Sequence, residues 1–293
     1  MLHFDSLVCL PALDALFEAL GGRIGLVVSS DRFASMAGFL RQLRRNLRHS
    51  GLRLTVALGF DIVALRIAGF FAPAMRALAW PWRRLAGGDH VYWRRLPELA
   101  AGVQAPCVTI HDINARAALD LIRRFAPDLV ISFHFDQILQ PAFLEAAACP
   151  VVNVHPALLP AHRGPCPSFW ALAAGDSRVG VTVHRIVDAT IDAGPVLVRR
   201  QRALPAGVCM GELDERLFAD GAAALAALLS SRPTAEVDPA GSPAAYESFP
   251  DGRTVRAARR RGVGLWRLAQ AVRLIAGLFG WYRPAPPAAA ASA

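Results

Sequence analysis

Short apolar runs alternate with segments of helix length in the middle of the chain, and this alternation predicts an α/β fold. Strands are expected at residues 106–110, 128–133 and 151–154, and helices at 115–125 and 141–148. Strand, helix, strand is the pattern of βαβ units, which build parallel sheets. The runs 181–187 and 196–200 have only a loop between them, so the sheet is expected to turn antiparallel there. The expected fold is therefore a Rossmann-like, doubly wound, mostly parallel sheet with an antiparallel end.

The N-terminal third departs from this pattern. A helix is expected over Asp5–Leu20 and a strand over Arg23–Ser29, and only Met1–Phe4 precedes them as a first strand. Residues 31–95 are apolar and basic with helical periodicity, so they predict a helical insertion. Charged residues interrupt its apolar run, Leu54–Leu78, and leave no uncharged stretch of about 18 residues to span a membrane. Burial as a helical hairpin and contact with a membrane surface are the two interpretations that remain.

The sheet and its helices are expected to form one catalytic domain at residues 1–229. Residues 230–243 are rich in Ser, Pro and Ala and are expected to be a linker. Residues 244–283 are basic and contain an amphipathic helix, Leu265–Phe279, which either packs on the domain or rests on a membrane surface. Residues 284–293 are of low complexity and are expected to be disordered.

The amino-acid composition excludes several types of catalytic and binding site. The net charge is +9, but every basic residue is an arginine, so no lysine is present to form a Schiff base or to bind phosphate in a P-loop. Because uniform arginine can follow from genome composition, the positive charge gives little support to a nucleic-acid partner. The five cysteines are odd in number and include no Cys-x-x-Cys pair, so neither disulfides nor a zinc site is expected. A reducing cytoplasm is the expected location.

The most informative stretch is residues 150–175, PVVNVHPALLPAHRGPCPSFWALAAG. Val151–Val154 predicts a buried strand, and Asn153 and His155 leave one face of it because they are two residues apart. Ligands of open α/β sheets bind at the carboxyl ends of the strands, where both residues are expected. Ser168 is expected to cap the helix that follows, and Asn114 to cap the helix at 115–125. Since Asn and His beside a proline are also common turn residues, the spacing alone fits either a reaction centre or a structural turn.

The run NVHPALLPAHRGPCPSFWAL within this stretch resembles the signature of the folate-dependent formyltransferases. That family includes methionyl-tRNA, glycinamide ribonucleotide and sugar N-formyltransferases. Residues 180–187, GVTVHRIV, and 191–195, IDAGP, resemble the second signature of the family, a strand followed by an acidic loop. Residues 126–132, APDLVIS, and 137–139, QIL, resemble a third block. The resemblance is close over residues 105–200, with the blocks in the order of the family.

The resemblance implies transfer of a formyl group from 10-formyltetrahydrofolate to an amine, carried by three catalytic residues. Asn153 would donate an amide N–H to the formyl oxygen as negative charge develops there. His155 would carry the proton, because an imidazole titrates near neutral pH. Asp192 would orient His155 and hold a water that relays the proton. No metal is implied.

A folate site is implied as well. Backbone groups of Gln137, Ile138 and Leu139, together with the loop that contains Asp188 and Ile191, are expected to bind the pterin ring. Further residues are expected to support the centre or to touch the substrate or the folate tail: Thr182, His184, His162 and Arg163. For the first two of these, a purely structural pair is the alternative.

The acceptor amine is not identified by the sequence. The glycine-rich phosphate loop of the glycinamide ribonucleotide enzymes has no counterpart, and the segment after the domain is too helical for the β-barrel of methionyl-tRNA formyltransferases. An amino sugar or another small or lipid-linked amine is therefore expected, with peripheral membrane contact as an option and methionyl-tRNA as the alternative acceptor. Two other functions stay open: hydrolysis of formyltetrahydrofolate by the same three residues, and folate binding without catalysis. The oligomeric state is also left open.

Overall fold

The fold is that of a computed structural model of the protein, which describes residues 1–31, 36–86, 92–230 and 245–282. The expected linker, 230–243, lies outside the described residues except for Ser230, which ends a helix. The expected disordered tail, 284–293, also lies outside them.

Within the described residues seven strands form one sheet, which confirms the expected fold class. The strands are β1 (Leu2–Phe4), β2 (Val27–Ser30), β3 (Cys107–Ile110), β4 (Val130–Phe133), β5 (Val151–His155), β6 (Arg178–Arg185) and β7 (Val196–Ala203). Their order across the sheet is β3-β2-β1-β4-β5-β6-β7. All neighbours from β3 to β5 are parallel, and β6 and β7 pair antiparallel. The winding direction reverses between β1 and β4, where doubly wound sheets bind their ligands.

Helices connect most of the strands. They are α1 (Leu10–Leu20), α2 (Met36–Ala86), α3 (Leu96–Gly102), α4 (Arg116–Phe125), α5 (Pro141–Ala147), α6 (Pro167–Ala174), α7 (Met210–Ser230), α8 (Gly252–Arg260) and α9 (Leu268–Leu278). A short 3-10 turn, Leu7–Cys9, joins β1 to α1. The helical insertion and the C-terminal helices that the sequence predicts are thus present.

Both faces of the sheet are covered, because alternate residues of a strand point to opposite sides. Val27 and Val152 pack with α1 and α7 in one core. Val28 and Val151 pack with α4 and α5 in a second core on the other face. Parallel strands that are buried on both faces carry adjacent apolar residues, as Val27 and Val28 in β2 and Val151 and Val152 in β5 do.

The first strand is short but central. Leu2–Phe4 pairs in parallel with β2 on one side and with β4 on the other. All three of its residues are buried. The carboxyl end of β1 leads directly into Asp5 and the Leu7–Cys9 turn, at the position where the winding reverses.

The insertion is dominated by α2, which is broken at Gly51. The backbone there has φ 76° and ψ 171°, a conformation that glycine adopts and that other residues rarely do. The helix α2 packs on the Leu7–Cys9 turn, α8 and α9. Among the described residues, one helical stretch is long and apolar enough to cross a membrane, Ala37–Pro81 within α2. Of its most apolar 18-residue segment, 33% is buried inside the fold.

Two expected helix caps are wrong. The N-cap of α4 is Ala115 rather than Asn114, whose side chain bonds the loop before α5 instead. The N-cap of α6 is Cys166 rather than Ser168, because Pro167 already occupies the first helical turn. In both places a good capping residue lies one or two positions from the true boundary, and tertiary contacts decide its role.

Candidate active site

The antiparallel pairing of β5 with β6 places two pairs of polar residues side by side. Asn153 lies opposite His184, and His155 lies opposite Thr182. His155, Thr182 and His184 are buried. Directly opposed residues have side chains close enough to interact, so this register alone assembles a polar patch inside an apolar sheet.

Asp192 reaches this patch from the loop between β6 and β7. Its backbone is in the left-handed region at φ 50°, which an aspartate tolerates better than most residues. The carboxylate lies 3.4 Å from Nδ1 of His155 and 3.4 Å from Nε2 of His184. It accepts hydrogen bonds from Nδ2 of Asn153 at 3.2 Å and from the backbone N–H of Gly164 at 2.9 Å. Three strand residues and one loop carboxylate thus converge at one point.

These contacts fix the charge of Asp192. Burial works to raise the pKa of this carboxyl, but the neighbouring His155 and His184 and the N–H of Gly164 outweigh it and lower the pKa to about 2. Asp192 is therefore a carboxylate throughout the physiological range.

His155 lies between two acceptors. Its Nε2 donates to the backbone carbonyl of His162 at 2.9 Å, which leaves Nδ1 facing the carboxylate of Asp192. Burial lowers the pKa of His155, against the opposing effect of Asp192. The neutral imidazole can therefore take a proton at Nδ1, where a carboxylate is ready to accept the new N–H, and can release it again.

Asn153 has both amide hydrogens engaged. Its Nδ2 lies 3.1 Å from Nε2 of His184 and 3.2 Å from Oδ1 of Asp192. Nδ1 of His184 donates to the carbonyl of Arg185 at 3.1 Å, so its Nε2 is free to accept from the amide. The orientation of Asn153 is thereby fixed, with the N–H groups directed at the polar patch.

Thr182 supports the neighbouring turn. Its hydroxyl donates to the carbonyl of Ala157 at 2.7 Å and accepts from the N–H of Leu159 at 3.1 Å. These bonds hold the start of the proline-rich loop, residues 156–166 between β5 and α6, against β6. Thr182 therefore contacts the loop backbone, whereas His184 contacts Asn153 and Asp192 directly.

His162 and Arg163 are engaged within the protein. Nδ1 of His162 lies 2.8 Å from Glu247 and Nε2 lies 2.8 Å from Asp176. Burial lowers the pKa of His162, but the two carboxylates outweigh it and raise the pKa. The guanidinium of Arg163 donates to the carbonyl of Ile191 at 3.0 and 2.7 Å, which ties the proline-rich loop to the loop of Asp192.

A strand-like segment from the C-terminal part of the chain crosses this loop. We call residues 245–250 the strap. The N–H of Glu247 donates to the carbonyl of Arg163 at 2.9 Å, and Tyr246 pairs with Arg163. Gly164 has φ 107°, and a Cβ there would lie 2.3 Å from the carbonyl of Glu247. The close approach of the strap therefore requires glycine at position 164.

The residues expected to bind folate lie in two loops, one after β4 and one between β6 and β7. Gln137 bonds the backbone N–H of Ile113 and the hydroxyl of Ser30, so its side chain joins the ends of three strands. Ile138 is exposed and Leu139 is buried. Asp188 accepts from the N–H of Thr190 at 2.7 Å in an exposed turn of the β6–β7 loop.

Carboxylates lie near the reversal point of the sheet. Asp5 follows β1, and Asp61 of α2 accepts a hydrogen bond from the N–H of Val8 at 3.1 Å. Burial raises the pKa of Asp61, and burial together with Asp61 raises the pKa of Asp214 to about 7. Burial also raises the pKa of the Cys166 thiol, so this cysteine is not a thiolate nucleophile.

Sequence reasoning missed these carboxylates and the partners of His162. Asp176 and Glu247 are ordinary surface residues by sequence, and Glu247 is 85 positions from His162. Only the segment Tyr246–Pro250, which interrupts the Ser/Pro/Ala-rich stretch with aromatic residues, hinted at an ordered element there. In the part of the chain that the structure describes, no group of three or more His, Cys, Asp or Glu is arranged to hold a metal ion.

Part of the chain is similar in sequence to known proteins. Residues 102–229 match the family described as formyl transferase. A methionyl-tRNA formyltransferase from Pelobacter propionicus is 33% identical over 142 residues, 48% of this chain and 44% of that protein. The match spans less than half the length of this curated relative.

Solved structures resemble the chain more distantly. The phosphoribosylglycinamide formyltransferase of Anaplasma phagocytophilum is 18% identical with a TM-score of 0.49, over 78% of this chain and 83% of that one. A sugar N-formyltransferase from a Shewanella species is 20% identical with a TM-score of 0.42, over 52% of this chain and 60% of that one.

Proposed function

We propose, from the match of residues 102–229 to the formyl transferase family, that the protein transfers a formyl group from 10-formyltetrahydrofolate to a primary amine. The observation that carries the proposal is the position of His155 between the carbonyl of His162 and the carboxylate of Asp192. That position suits a group that takes up a proton and gives it back within one turnover.

The reaction needs one bond to form, one to break and one proton to move. The lone pair of the neutral amine attacks the formyl carbon, and the carbonyl oxygen becomes an oxyanion. The bond between the formyl carbon and N10 of the folate then breaks. One proton passes from the amine nitrogen to N10, so the products are a formamide and tetrahydrofolate.

Each of the three residues has one task in this proposal. Asn153 exchanges one of its two internal hydrogen bonds for a bond to the developing oxyanion. His155 accepts the proton of the amine at Nδ1, where Asp192 stabilises the imidazolium, and returns it toward N10. Asp192 stays ionised throughout, since its pKa is about 2.

The acceptor is proposed to be a small or lipid-linked amine, such as an amino sugar. At the reversal point β1 leads into Asp5, and Asp61 and Asp214 lie on the helices beside it. A phosphate bound there would meet acidic side chains, whereas an amine or a hydroxyl group would find oxygen acceptors. The enzyme is proposed to work in the cytoplasm, where its free cysteines stay reduced.

Turnover of 10-formyltetrahydrofolate with a panel of amines tests the proposal. The panel contains amino sugars, lipid-linked amines and methionyl-tRNA, and both tetrahydrofolate and the formylated product are measured. Formylation of one amine that is lost in His155→Ala, with folate still bound, is the expected result. Tetrahydrofolate release without any acceptor assigns the protein as a hydrolase, and folate binding without release assigns it as a binding protein.

A further inference from the structure

The helix α2 is apolar on two opposite sides between residues 52 and 85. One side faces the domain and is buried at Leu54, Ala57, Leu65, Ala68, Ala72 and Ala79. The other side faces solvent and carries Leu52, Val56, Val63, Ile67, Phe70, Phe71, Leu78 and Leu85. We call this second set the outer stripe.

The outer stripe is continuous along the helix. Its members recur at intervals of three, four and seven residues, which places them on one face of an α-helix. From Leu52 to Leu85 the rise of 1.5 Å per residue gives a length of roughly 50 Å. Phe70 is 78% exposed, Leu85 is 81% exposed and Leu52 is 67% exposed. Apolar surfaces that are contiguous over such a length mark an interaction site.

The charge of α2 is of one sign. The helix carries nine arginines and a single acidic residue, Asp61. Asp61 points inward, where it accepts a hydrogen bond from the N–H of Val8. Four exposed arginines precede the outer stripe, and Arg84 is exposed near its far end. They are Arg41, Arg44, Arg45 and Arg48.

We propose that the outer stripe lies on the surface of an anionic lipid bilayer. The apolar side chains enter the boundary between headgroups and acyl chains, and the arginines contact the phosphates of the headgroups. This occupant matches both properties of the helix, since a bilayer of anionic lipids offers an apolar layer beneath a negative surface. The inference stands apart from the proposed formyl transfer and rests on α2 alone.

Two other occupants fit less well. A second copy of the chain would bring arginine-rich helices together with no acidic side chain on the outer face of either α2 to pair them. Insertion of α2 across the bilayer would strip its inner side from the domain, where Leu54 and Ala72 are fully buried. The surface position keeps the inner contacts and covers the outer stripe.

The C-terminal helix has a smaller part in this surface than its sequence suggested. Ala271, Leu274 and Leu278 of α9 are buried, and Arg76 of α2 donates to the carbonyl of Leu278 at 2.9 Å. Leu268 and Val272 remain exposed. The face that the amphipathic pattern marks on α9 thus packs on the domain, and α2 carries the proposed membrane contact.

Co-flotation of the full chain with lipid vesicles tests the proposal. Vesicles of phosphatidylcholine alone are compared with vesicles that also contain phosphatidylglycerol. Binding to the anionic vesicles that falls with added salt is expected. Phe70→Ser combined with Phe71→Ser should lower the bound fraction at least about tenfold, because two large side chains lose their burial.

A matched variant tests whether binding depends on the outer stripe or on any exposed aromatic side chain. Phe125→Ser removes an exposed phenylalanine from α4, which packs on the other face of the sheet, and should bind like the unaltered protein. Replacement of Arg41, Arg44, Arg45 and Arg48 by Gln should reduce the salt dependence. Melting temperatures of all variants should show that each is folded at the temperature of the flotation assay.

Three results would overturn the proposal. One is the absence of flotation with anionic vesicles at low salt. Another is flotation that the double phenylalanine variant retains in full. The third is a stable dimer in sedimentation that the same double variant dissolves, which would assign the outer stripe to a second copy of the chain.

Discussion

The backbone carbonyl of His162 accepts a hydrogen bond from Nε2 of His155 at 2.9 Å, while the ring of His162 lies 2.8 Å from each of two carboxylates. The imidazole that we propose as the proton carrier is therefore held by a residue that is itself held by Asp176 and by Glu247 of the strap. The contact between His162 and Glu247, which are 85 positions apart in the chain, is thus linked to the proposed proton carrier through the backbone of His162.

Glu247→Gln should lower kcat and leave KM for folate nearly unchanged. The neutral amide weakens the hold on His162, and the carbonyl that orients His155 loses its fixed position. Steady-state kinetics across pH measures this, and the pH of half-maximal rate should shift because the environment of His155 changes. Glu247→Asp should restore part of the rate. An unchanged pH profile in Glu247→Gln would show that the strap is only structural.

The thermal stability of the protein should depend on the protonation of His162 around neutral pH. The pKa of His162 is raised above its ordinary value of 6.5 by its two carboxylates, against the effect of burial. Its contribution is therefore complete below pH 6.5 and is lost as pH rises through the raised pKa. Thermal melting of the unaltered protein and of Glu247→Gln should differ most at acidic to neutral pH and converge in alkaline buffer. A difference that grows with pH would contradict this assignment.

Gly164→Ala should be more disruptive than a comparable change elsewhere. Both Gly164 and Gly262 have positive φ, 107° and 92°, so an alanine at either strains the backbone by about 1–2 kcal/mol. Only at Gly164 would the new Cβ also meet the strap, at 2.3 Å from the carbonyl of Glu247. Urea unfolding should show a larger loss for Gly164→Ala, with lower activity because the N–H bond to Asp192 moves. Equal losses of unfolding free energy at the two glycines would mean that the strap moves away from the new Cβ at no measurable cost.

Asn153→Ala should lower the rate of transfer by about 100- to 1000-fold, the usual effect of removing one oxyanion donor. Folate binding should change little, since the expected folate contacts lie on other residues. Single-turnover measurements with bound 10-formyltetrahydrofolate separate the two steps. Asn46→Ala, on α2, is the matched control and should react at the original rate. A tenfold or smaller loss in Asn153→Ala would remove this residue from the proposed mechanism.

Asp192→Asn should destabilise the protein at neutral pH but not in strong acid. The pKa of this carboxyl is depressed from 3.8 to about 2, so its contribution exists above pH 4 and is lost as pH falls toward 2. The size of the shift corresponds to about 2 kcal/mol at pH 7. Denaturant unfolding at neutral pH and at pH 2.5 measures the difference, which should shrink on acidification. A difference in unfolding free energy that is the same at both pH values would show that the charge of Asp192 does not cause the effect of the substitution.

The sequence was most informative where function depends on neighbours in the chain. Asn153 and His155 lie on one strand, and their resemblance to a known signature located them together with Asp192. The partners of His162 could not be found in this way, because Asp176 and Glu247 are brought to it by the packing of α6 and by the path of the strap. No local pattern distinguishes such carboxylates from solvated ones.

Boundaries and surfaces were predicted less well than elements. The periodicity of Leu265–Phe279 correctly indicated a helix, but α9 begins at Leu268, where the extended backbone of Arg267 ends. For α2 the apolar pattern covers both sides of the helix, so hydrophobicity alone could not tell which side faces the domain. The contacts of Asp61 and Leu54 settle that orientation only once the fold is known.

The place of β1 in the middle of the sheet also bears on how the chain folds. Leu2 pairs with Val28 on one side and with Ser132, 130 positions later, on the other. Chain closure over so long a loop is slow compared with the formation of local helices. In a chain leaving the ribosome, one hydrogen-bonding edge of β1 therefore stays unpaired until β4 has been made. The crevice between the two halves of the sheet is completed only at that late step.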